Sequence, residues 1–286
     1  MDRILVIGGT GRIGREVAAQ LIADGAEVRV VSRQPRSPAL PAQIELAHAD
    51  LTEPATLDAA LDGVGSVFLV WTAPPDAVSA GLERITRRAR RVVFLSSPYN
   101  VQHPFVQRPQ PNAAAALHKA VERCIVESGV PWTFLRPGIF ASNALGWWAP
   151  QIRAGDVVRW PHAQSQSAPT DERDIAAVAV RALCEEGHNK RDYIPTGPES
   201  LTHAQQVEII GAALGRRLRY EEMSPEEFLN GPSDGWPPGT KQMLLKAWQG
   251  GLEQPAFITS DVKDVTGKPA RTFRDWAKDH AAAFRA

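Results

Sequence analysis

The sequence predicts an α/β fold with a doubly wound parallel sheet, followed by a small α+β lobe. Apolar runs of strand length alternate with amphipathic helical stretches, and the first run breaks directly into closely spaced glycines. The strand-like runs are residues 4–7, 27–31, 44–47, 66–70, 92–96 and 132–135. The helical stretches between them are residues 13–24, 54–61, 76–89 and 112–128. This order is typical of repeated βαβαβ units, whose ligand crevice lies at the carboxyl ends of the strands.

The pattern becomes less regular after Pro137. Residues 138–170 are rich in Trp, Gly and Pro. The remaining predicted elements are helices at 173–186, 203–215 (capped by Thr202), 240–249 and 271–284 and strands at 193–196 and 217–221. We therefore expect a first domain at residues 1–137 and a C-terminal lobe at 138–286, with the chain returning to the sheet around residues 168–196.

Three glycines follow the first strand at three-residue spacing. Residues 4–14 read ILVIGGTGRIG, which places the glycines at Gly8, Gly11 and Gly14. The first permits a tight turn, the second lets a pyrophosphate approach the backbone, and the third lets the next helix pack closely on the strand. The free N–H groups of the first helical turn then face the phosphates. Because a strand precedes the glycines and an amphipathic helix follows them, the motif predicts a dinucleotide site.

The end of the second strand indicates which dinucleotide binds. A carboxylate at this place binds the adenine ribose of NAD, whereas an arginine accommodates the 2′-phosphate of NADP. The segment reads VVSRQPRS, so Ser32 and Arg33 occupy the place, Arg36 lies nearby and no acidic residue is present. A guanidinium offers paired donors to a phosphate, which favours NADP(H). If Arg33 only stacks on the adenine or is solvated, NAD(H) remains possible.

Further cofactor contacts are predicted at the ends of the third and fourth strands. The carboxylate of Asp50 either reaches the adenine amine or precedes the following helix as an N-terminal carboxylate. The loop at residues 70–75 is expected to pass over the ribose and the pyrophosphate, and its prolines stop the strand. The predicted cofactor-binding residues are Gly8, Thr10, Gly11, Arg12, Ile13, Gly14, Ser32, Arg33, Asp50, Leu51, Trp71, Thr72, Ala73, Ser96, Ser97, His118 and Pro137.

Several segments together resemble the NmrA-like family of atypical short-chain dehydrogenase/reductases. They are GGTGRIG near the start, FLSS at the fifth strand, HKAVERCIVESGVPWTFLRPGIFASN (118–143), APTDERDIAAVAVRAL (168–183) and TGPESLTHAQQVEIIGAALG (196–215). The resemblance implies a Rossmann domain that binds NAD(P), a small C-terminal lobe and a cleft between them. It leaves the activity open, because such proteins include quinone, isoflavone-type and imine reductases as well as redox sensors without turnover.

The catalytic residues of short-chain dehydrogenases are only partly present. Those enzymes use a tyrosine four residues before a lysine, and no Tyr-x-x-x-Lys occurs here. Related reductases carry a lysine at the start of the helix predicted at 112–128, and matching back from GVPWT places His118 there, beside Lys119. His118 and Glu122 share a helix face, so they form either an acid/base pair or a surface ion pair with a ribose contact. Tyr99, after the fifth strand, completes the predicted catalytic set.

The ends of the fifth and sixth strands supply the remaining polar groups. Ser96 and Ser97 are expected beside the nicotinamide, where hydroxyl and backbone groups can polarise a carbonyl. Arg136 ends the sixth strand, and we expect it to be structural, paired with Asp171 and Asp174.

Aromatic side chains are frequent in the loops after the strands and in the C-terminal lobe. Each one alone is more often part of a core, but collectively they favour a planar, apolar substrate such as a quinone or a polycyclic aromatic compound. The predicted substrate pocket consists of Pro98, Tyr99, Phe140, Asn143, Trp147, Trp148 and Trp160.

The composition excludes several other classes of function. The 32 basic and 32 acidic side chains cancel, so neither nucleic acid nor a membrane is predicted as a partner, and the arginine-rich segment 83–91 is expected to be a solvated helix face. Cys124 and Cys184 show no metal-ligand spacing, which predicts no metal and a reducing, cytoplasmic location. No apolar run approaches about 18 residues, so we expect neither a secretory signal nor a membrane span. The expected assembly is a monomer or a homodimer.

Three functions agree with these observations. The first is an NAD(P)H-dependent oxidoreductase that transfers hydride to a planar quinone, enone or aromatic polyketide-like substrate, with the proton supplied by His118 together with Tyr99 or a water. The second is a non-catalytic NAD(P) redox sensor that binds a protein partner, which the missing Tyr-Lys pair favours. The third is a monooxygenase-like tailoring enzyme of aromatic polyketide biosynthesis.

Overall fold

The computed structural model describes residues 3–34, 40–41, 43–99, 113–231, 236 and 238–285. The strands are β1 (Arg3–Ile7), β2 (Val28–Ser32), β3 (Glu45–His48), β4 (Val64–Leu69), β5 (Arg91–Leu95), β6 (Trp132–Leu135), β7 (Val157–Trp160), β8 (Gln166–Ser167), β9 (Arg191–Tyr193), β10 (Leu201–Thr202) and β11 (Arg219–Glu222). The α-helices are α1 (Arg12–Ala23), α2 (Leu57–Ala60), α3 (Val78–Arg88), α4 (Ala113–Glu127), α5 (Asn143–Trp147), α6 (Ala149–Ala154), α7 (Glu172–Cys184), α8 (His203–Leu214), α9 (Pro225–Asn230), α10 (Thr240–Gly250), α11 (Asp261–Thr266) and α12 (Phe273–Asp279).

Seven parallel strands form the central sheet in the order β3-β2-β1-β4-β5-β6-β9. The predicted doubly wound α/β fold is therefore confirmed, and each of the first six strands lies within two residues of its predicted bounds. The strand order reverses between β1 and β4, and a ligand crevice is expected at this point, outside the carboxyl ends of the strands. Ile7 pairs with both Val31 and Leu69, so β1, β2 and β4 end at the same level.

Helices cover both faces of the sheet, which explains why its strands are apolar on both sides. Helices α2, α3 and α4 pack on one face, where Leu82 and Val121 are buried. Helices α1, α7 and α11 pack on the other face, where Leu21, Ile175 and Val262 are buried. Both layers hold the strand ends in place, and the site is built at those ends.

Residues beyond the predicted first domain also belong to the sheet layers. Strand β9 pairs with β6, and α7 packs against α1. Helix α11 then packs against α7, a return of the chain to the sheet that the sequence patterns did not indicate. The C-terminal lobe consists of the parallel pair β7–β11, the antiparallel pair β8–β10 and the helices around them.

Some elements of the lobe differ from the prediction. The irregular segment 138–170 contains α5, α6, β7 and β8. These elements are two to six residues long, too short to show a periodic apolar pattern. The helix predicted at 271–284 consists of α12 and a separate 3₁₀ turn at Ala281–Phe284. Thr202 caps α8 as expected, with a reciprocal capping box to Gln205.

The arginine-rich helix α3 presents a salt-bridged surface. Arg84 and Arg88 both pair with Asp58, and Arg87 pairs with Glu83 four residues earlier. These ion pairs agree with the expectation of a solvated helix face. In the described part of the chain, no group of three or more His, Cys, Asp and Glu side chains is arranged to hold a metal ion. Nor does any helix among these residues combine the length and apolar character that a bilayer span requires.

Candidate active site

The glycine turn lies at the carboxyl end of β1. Gly8 has a φ angle of +85°, which glycine adopts without strain, and its carbonyl oxygen accepts a 3.0 Å hydrogen bond from the N–H of Gly11. A Cβ on Gly14 would overlap the Gly8 carbonyl group and lie 2.7 Å from the Cα of Gly9. Only glycine therefore lets α1 approach β1 this closely. Residues 10–12 are exposed, so the backbone that leads into α1 is open to a pyrophosphate.

An exposed arginine follows β2 at the same edge of the sheet. Ser32 is buried, and its Oγ accepts a 3.0 Å hydrogen bond from the N–H of Gln34, whereas Arg33 is exposed. Ser32 pairs with His48 at the end of β3, so Arg33 lies where β2 and β3 end together. This is the place at which the adenosine part of a dinucleotide is recognised in doubly wound sheets. Arg36 lies outside the described residues.

The carboxylate of Asp50 closes a local turn. Its Oδ1 accepts hydrogen bonds from the N–H (2.9 Å) and the Oγ1 (2.8 Å) of Thr52. These hydrogen bonds hold the pKa of Asp50 below its ordinary value, and the positive charge of Arg33 acts in the same direction. Of the two roles predicted for Asp50, the contacts favour the carboxylate that precedes the helical turn at Pro54–Thr56.

Burial corrects the role of two predicted cofactor contacts. Trp71 is 5% exposed, its Nε1 donates a 2.8 Å hydrogen bond to the carbonyl of Ala73, and its ring lies against Gly81 of α3. Leu51 is buried in the same apolar layer. Because Gly81 has no side chain, the indole folds back against α3 and does not face the cleft. The side chains of Trp71 and Leu51 therefore belong to the core.

The other predicted cofactor contacts remain predictions. Thr72 is exposed on the loop after β4. Ile13, Ala73 and Pro137 are buried, so they offer backbone atoms rather than side chains to a ligand.

A serine and a histidine meet at the end of β5. The Oγ of Ser97 lies 2.8 Å from the Nδ1 of His118 in α4, and the Phe94 ring packs edge-on against the imidazole. Burial lowers the pKa of His118 below its ordinary value, although the carboxylate of Glu122 opposes this effect. The imidazole is therefore neutral at pH 7 and can accept a proton at one nitrogen while it donates from the other.

Glu122 has partners other than the predicted one. Its carboxylate accepts hydrogen bonds from the hydroxyls of Ser96 and Tyr99, and it forms a buried two-point ion pair with Arg136 at 2.7 and 2.8 Å. Among the described residues, no hydrogen bond joins Glu122 to His118. The predicted acid/base pair on one helix face is thus corrected, because the guanidinium from β6 offers the carboxylate a bidentate partner.

Arg136 is structural, as expected, but its partners differ from those predicted. It donates to Asp192 of β9 at 3.1 Å as well as to Glu122. Asp171 binds the arginine two residues further along α7 at 2.6 Å, and Asp174 binds Arg271. The pairing of β6 with β9 explains the difference, since it sets Asp192 beside the end of β6.

Tyr99 completes this buried network. Its hydroxyl donates to Glu122, and the guanidinium carbon of Arg136 lies 4.9 Å from the centre of its ring. Burial, and then the hydrogen bond to Glu122, raise the pKa of Tyr99 above its ordinary value. The phenol proton is therefore held by Glu122, which makes Tyr99 part of the framework around Ser97 rather than the proton donor that was predicted.

Three of the residues predicted to line the substrate pocket belong to the core of the lobe. Trp147, Trp148 and Trp160 are 8, 0 and 7% exposed and pack in the core of the lobe with Trp248 and His203. Their prediction as pocket walls is thus corrected: the lobe is small and uses these indoles as its core. The half-buried members of the predicted pocket are Pro98, Tyr99, Phe140 and Asn143.

Two contacts of the site have no simple signal in the sequence. Asp192 reaches Arg136 only because β9 joins the sheet beside β6, and the predicted strand at 193–196 missed this register. Arg12 was predicted to bind the cofactor, but it also donates hydrogen bonds to Ser142 at the start of the lobe. Both contacts join residues more than fifty positions apart.

Comparison with known proteins shows likeness over nearly the whole chain. Residues 1–237 match the model of the NmrA-like family. A (4-alkanoyl-5-oxo-2,5-dihydrofuran-3-yl)methyl phosphate reductase from Streptomyces griseus is 38% identical over 289 residues, covering 98% of this chain and 99% of that protein. An NAD(P)H azoreductase from Xenophilus azovorans is 34% identical over 304 residues, covering 99% of both chains.

Solved structures show the same fold. The NADPH-dependent quinone oxidoreductase from Escherichia coli in complex with NADPH has a TM-score of 0.80 and 24% identity, covering 96% of this chain and 99% of that chain. The Citrobacter triphenylmethane reductase in complex with NADP(H) has a TM-score of 0.79 and 18% identity, covering 98% of this chain and 99% of that chain.

Proposed function

The chain belongs to the NmrA-like family and is an NAD(P)H-dependent oxidoreductase, and we propose that it uses NADPH to reduce a flat, electron-poor conjugated compound. The substrate class comprises quinones, enones and unsaturated lactones. Relatives support this class, because their names describe reduction of a dihydrofuranone, an azo compound and a quinone. Each of these acceptors is conjugated and planar at the bond that is reduced.

The glycine turn and the end of β2 provide the groups that would hold the cofactor. The pyrophosphate fits the exposed backbone at residues 10–12, where a side chain on Gly11 would come within 3.3 Å of the Gly8 carbonyl oxygen. Arg33 would hold the 2′-phosphate at the end of β2. When bound, the reduced nicotinamide supplies a hydride. The remaining chemistry, which is the delivery of a proton, falls to side chains of this protein.

The contact between Ser97 and His118 is the observation that carries the proposed mechanism. Hydride addition to a conjugated acceptor leaves an electron pair on its oxygen or on the neighbouring carbon, and this atom needs a proton. Ser97 Oγ gives its proton there and recovers one from Nδ1 of His118. As the imidazole releases this proton from Nδ1 it takes one up from solvent at Nε2, so the ring stays neutral and the net proton comes from water. Glu122 and Arg136 hold the segment that carries Ser97 and the helix α4 that carries His118 in place for this relay.

A substrate panel tests the proposed function. The purified protein is mixed with NADPH and a naphthoquinone, an azo dye or an acyl-substituted unsaturated lactone, and the loss of NADPH absorbance is followed. We expect turnover of at least one conjugated acceptor and none of the matching saturated lactone. A protein that binds NADPH in a fluorescence titration but oxidises it with no member of the panel would contradict the proposal.

His118→Ala should lower kcat by about a hundredfold, at the lower end of the usual effect of a general acid because water partly replaces the relay. The dissociation constant of NADPH, measured by fluorescence titration, should stay close to that of the wild type. Added imidazole should restore part of kcat. Lys119→Ala is the matched control, because Lys119 is the exposed neighbour on α4 and should behave as wild type. An equal loss of kcat in His118→Ala and Lys119→Ala would show that His118 does not lie on the proton path.

Arg33→Ala should weaken NADPH binding by about tenfold or more, since a charge-assisted contact with phosphate contributes roughly 1.5–3 kcal/mol. NADH lacks the 2′-phosphate, so its dissociation constant should hardly change, and it serves as the internal control. Both constants are measured by titration calorimetry on the same protein samples. A similar loss of affinity for both dinucleotides would show that Arg33 contacts a part that they share.

A further inference from the structure

Arg12 links the glycine turn to the C-terminal lobe. It is the first residue of α1, and its Nη1 donates hydrogen bonds to the Oγ (2.9 Å) and the carbonyl oxygen (3.3 Å) of Ser142. These contacts span 130 residues of sequence. A guanidinium has five N–H donors, and Nη1 carries two of them. The Nε and Nη2 donors have no partner among the described residues, so they are free to bind an anion beside the turn.

Ser142 lies in a short segment through which the chain enters the lobe. We call residues 139–143 the lobe junction. Its backbone is paired with Thr170, which both donates to Ile139 at 2.8 Å and accepts from Ala141 at 2.9 Å. The N–H of Ser142 donates to the buried carboxylate of Glu172 at 3.0 Å. The lobe junction is thus one ordered unit that Arg12 contacts from the side of the glycine turn.

The lobe junction carries two of the half-buried residues predicted to line the substrate pocket. Phe140 lies within it, and Asn143 begins α5, which delivers Trp147 to the lobe core. A small shift of Ser142 would therefore move Phe140 and Asn143, the wall predicted for the pocket, relative to the glycine turn. An acceptor bound in the pocket is held by contacts with this wall, so the position of the wall affects how tightly the acceptor binds.

We propose that Arg12 is a positioning residue that couples cofactor binding to the lobe junction. Nη1 holds Ser142, while Nε and Nη2 bind a phosphate oxygen of the cofactor, so that a loaded glycine turn fixes the wall formed by Phe140 and Asn143. The inference rests on the proposed cofactor site and goes beyond it. If Arg12 only bound a phosphate, its loss would affect cofactor affinity alone. The coupling predicts that its loss also affects binding of the acceptor.

Hydrogen exchange with mass spectrometry tests the coupling without any substrate. In the wild type, NADPH should slow amide exchange in residues 8–14 and, by about fivefold, in residues 139–147, as expected when the existing hydrogen bonds from Arg12 to Ser142 become better held. In Ser142→Ala, NADPH should still protect residues 8–14 but should protect residues 139–147 less than about twofold. Ser142→Thr keeps the hydroxyl and should restore the wild-type response. Ser79→Ala, on the exposed side of α3, is the matched control.

The outcomes separate this inference from the proposed function. If NADPH fails to protect residues 8–14 of the wild type, the proposed cofactor site is wrong and the coupling falls with it. If residues 8–14 are protected but Ser142→Ala responds at 139–147 as the wild type does, the coupling alone is wrong.

Kinetics provide a second test once an acceptor has been found. Ser142→Ala should raise the KM of the acceptor by about fivefold with kcat changed less than about twofold, because the wall is displaced while the proton relay is intact. Arg12→Ala should raise the acceptor KM equally and also weaken NADPH binding, and the double variant should match Arg12→Ala in KM. Additive effects on the acceptor KM would show that the two residues act separately and would overturn the proposal.

Discussion

Replacing Glu122 by alanine should destabilise the protein by about 3–5 kcal/mol, the usual cost of breaking a buried ion pair on one side. The carboxylate of Glu122 and the guanidinium of Arg136 are only 7 and 4% exposed, so water cannot replace the lost partner. The variant also leaves the hydroxyls of Ser96 and Tyr99 without their acceptor. Urea unfolding, followed by the fluorescence of the buried tryptophans, measures the change in the free energy of unfolding.

Two further variants separate the buried charge from simple loss of packing. In Glu122→Ala the buried guanidinium of Arg136 is left with the half-exposed Asp192 as its carboxylate partner. Adding Arg136→Met removes this poorly compensated charge, so the double variant should be more stable than Glu122→Ala alone. Glu83→Ala is the matched control. Glu83 forms an ion pair with Arg87 at 2.7 Å, but the two side chains are 55 and 76% exposed. That surface change should cost less than about 1 kcal/mol. Equal costs at positions 83 and 122 would mean that the buried pair is no stronger than a solvated one.

The sequence pointed to the residues of this network but did not predict which of them contact each other. Apolar runs and glycine spacing depend on neighbours within a few residues, and they predicted the six leading strands and the turn at Gly8 to Gly14. The partner of a charged side chain depends on which strands lie side by side. Glu122 was assigned to His118 because helix periodicity is visible locally, whereas Arg136 reaches it across the end of β6.

The tryptophans show the same limit of prediction from sequence. Composition indicated that the lobe is rich in aromatic residues, but a ring in a core and a ring in a pocket wall leave the same pattern. In the structure, Trp147 ends α5 and Trp148 follows it directly, and the tertiary arrangement alone turns both inward. The contact between Ser97 and His118 was equally hidden, although both residues had been predicted separately to face the cofactor.

Acidification should destabilise the lobe through a single buried histidine. His203 is fully buried at the start of α8, enclosed by Trp147, Trp148 and Trp248 with ring centres 5.2–6.2 Å from the imidazole. Burial lowers its pKa to about 4, because the charged form would lose its hydration among the indoles. In the unfolded chain the same side chain titrates near its ordinary value of 6.5.

The sign of the effect follows from proton uptake. Between pH 6.5 and 4 the unfolded state binds a proton at His203 that the folded state does not bind, so the free energy of unfolding decreases as the pH falls. The contribution of His203 is fully present above pH 6.5 and is lost progressively down to pH 4, in total about 3 kcal/mol. Other titrating groups add their own pH dependence, so the prediction concerns the difference in stability between the wild type and a variant that lacks His203.

His203→Asn removes the titrating ring and keeps an N–H donor near the carbonyl of Pro161, which accepts from Nδ1 at 3.3 Å. From pH 7 to pH 4, the wild type should lose about 3 kcal/mol more stability than this variant in urea unfolding. The same substitution at the exposed His48 should leave the pH dependence of the wild type unchanged. Parallel pH profiles for the wild type and His203→Asn would mean that the folded lobe accommodates a charged imidazole. The indole faces would then stabilise it as a cation, and the aromatic core would be a cation site rather than an apolar one.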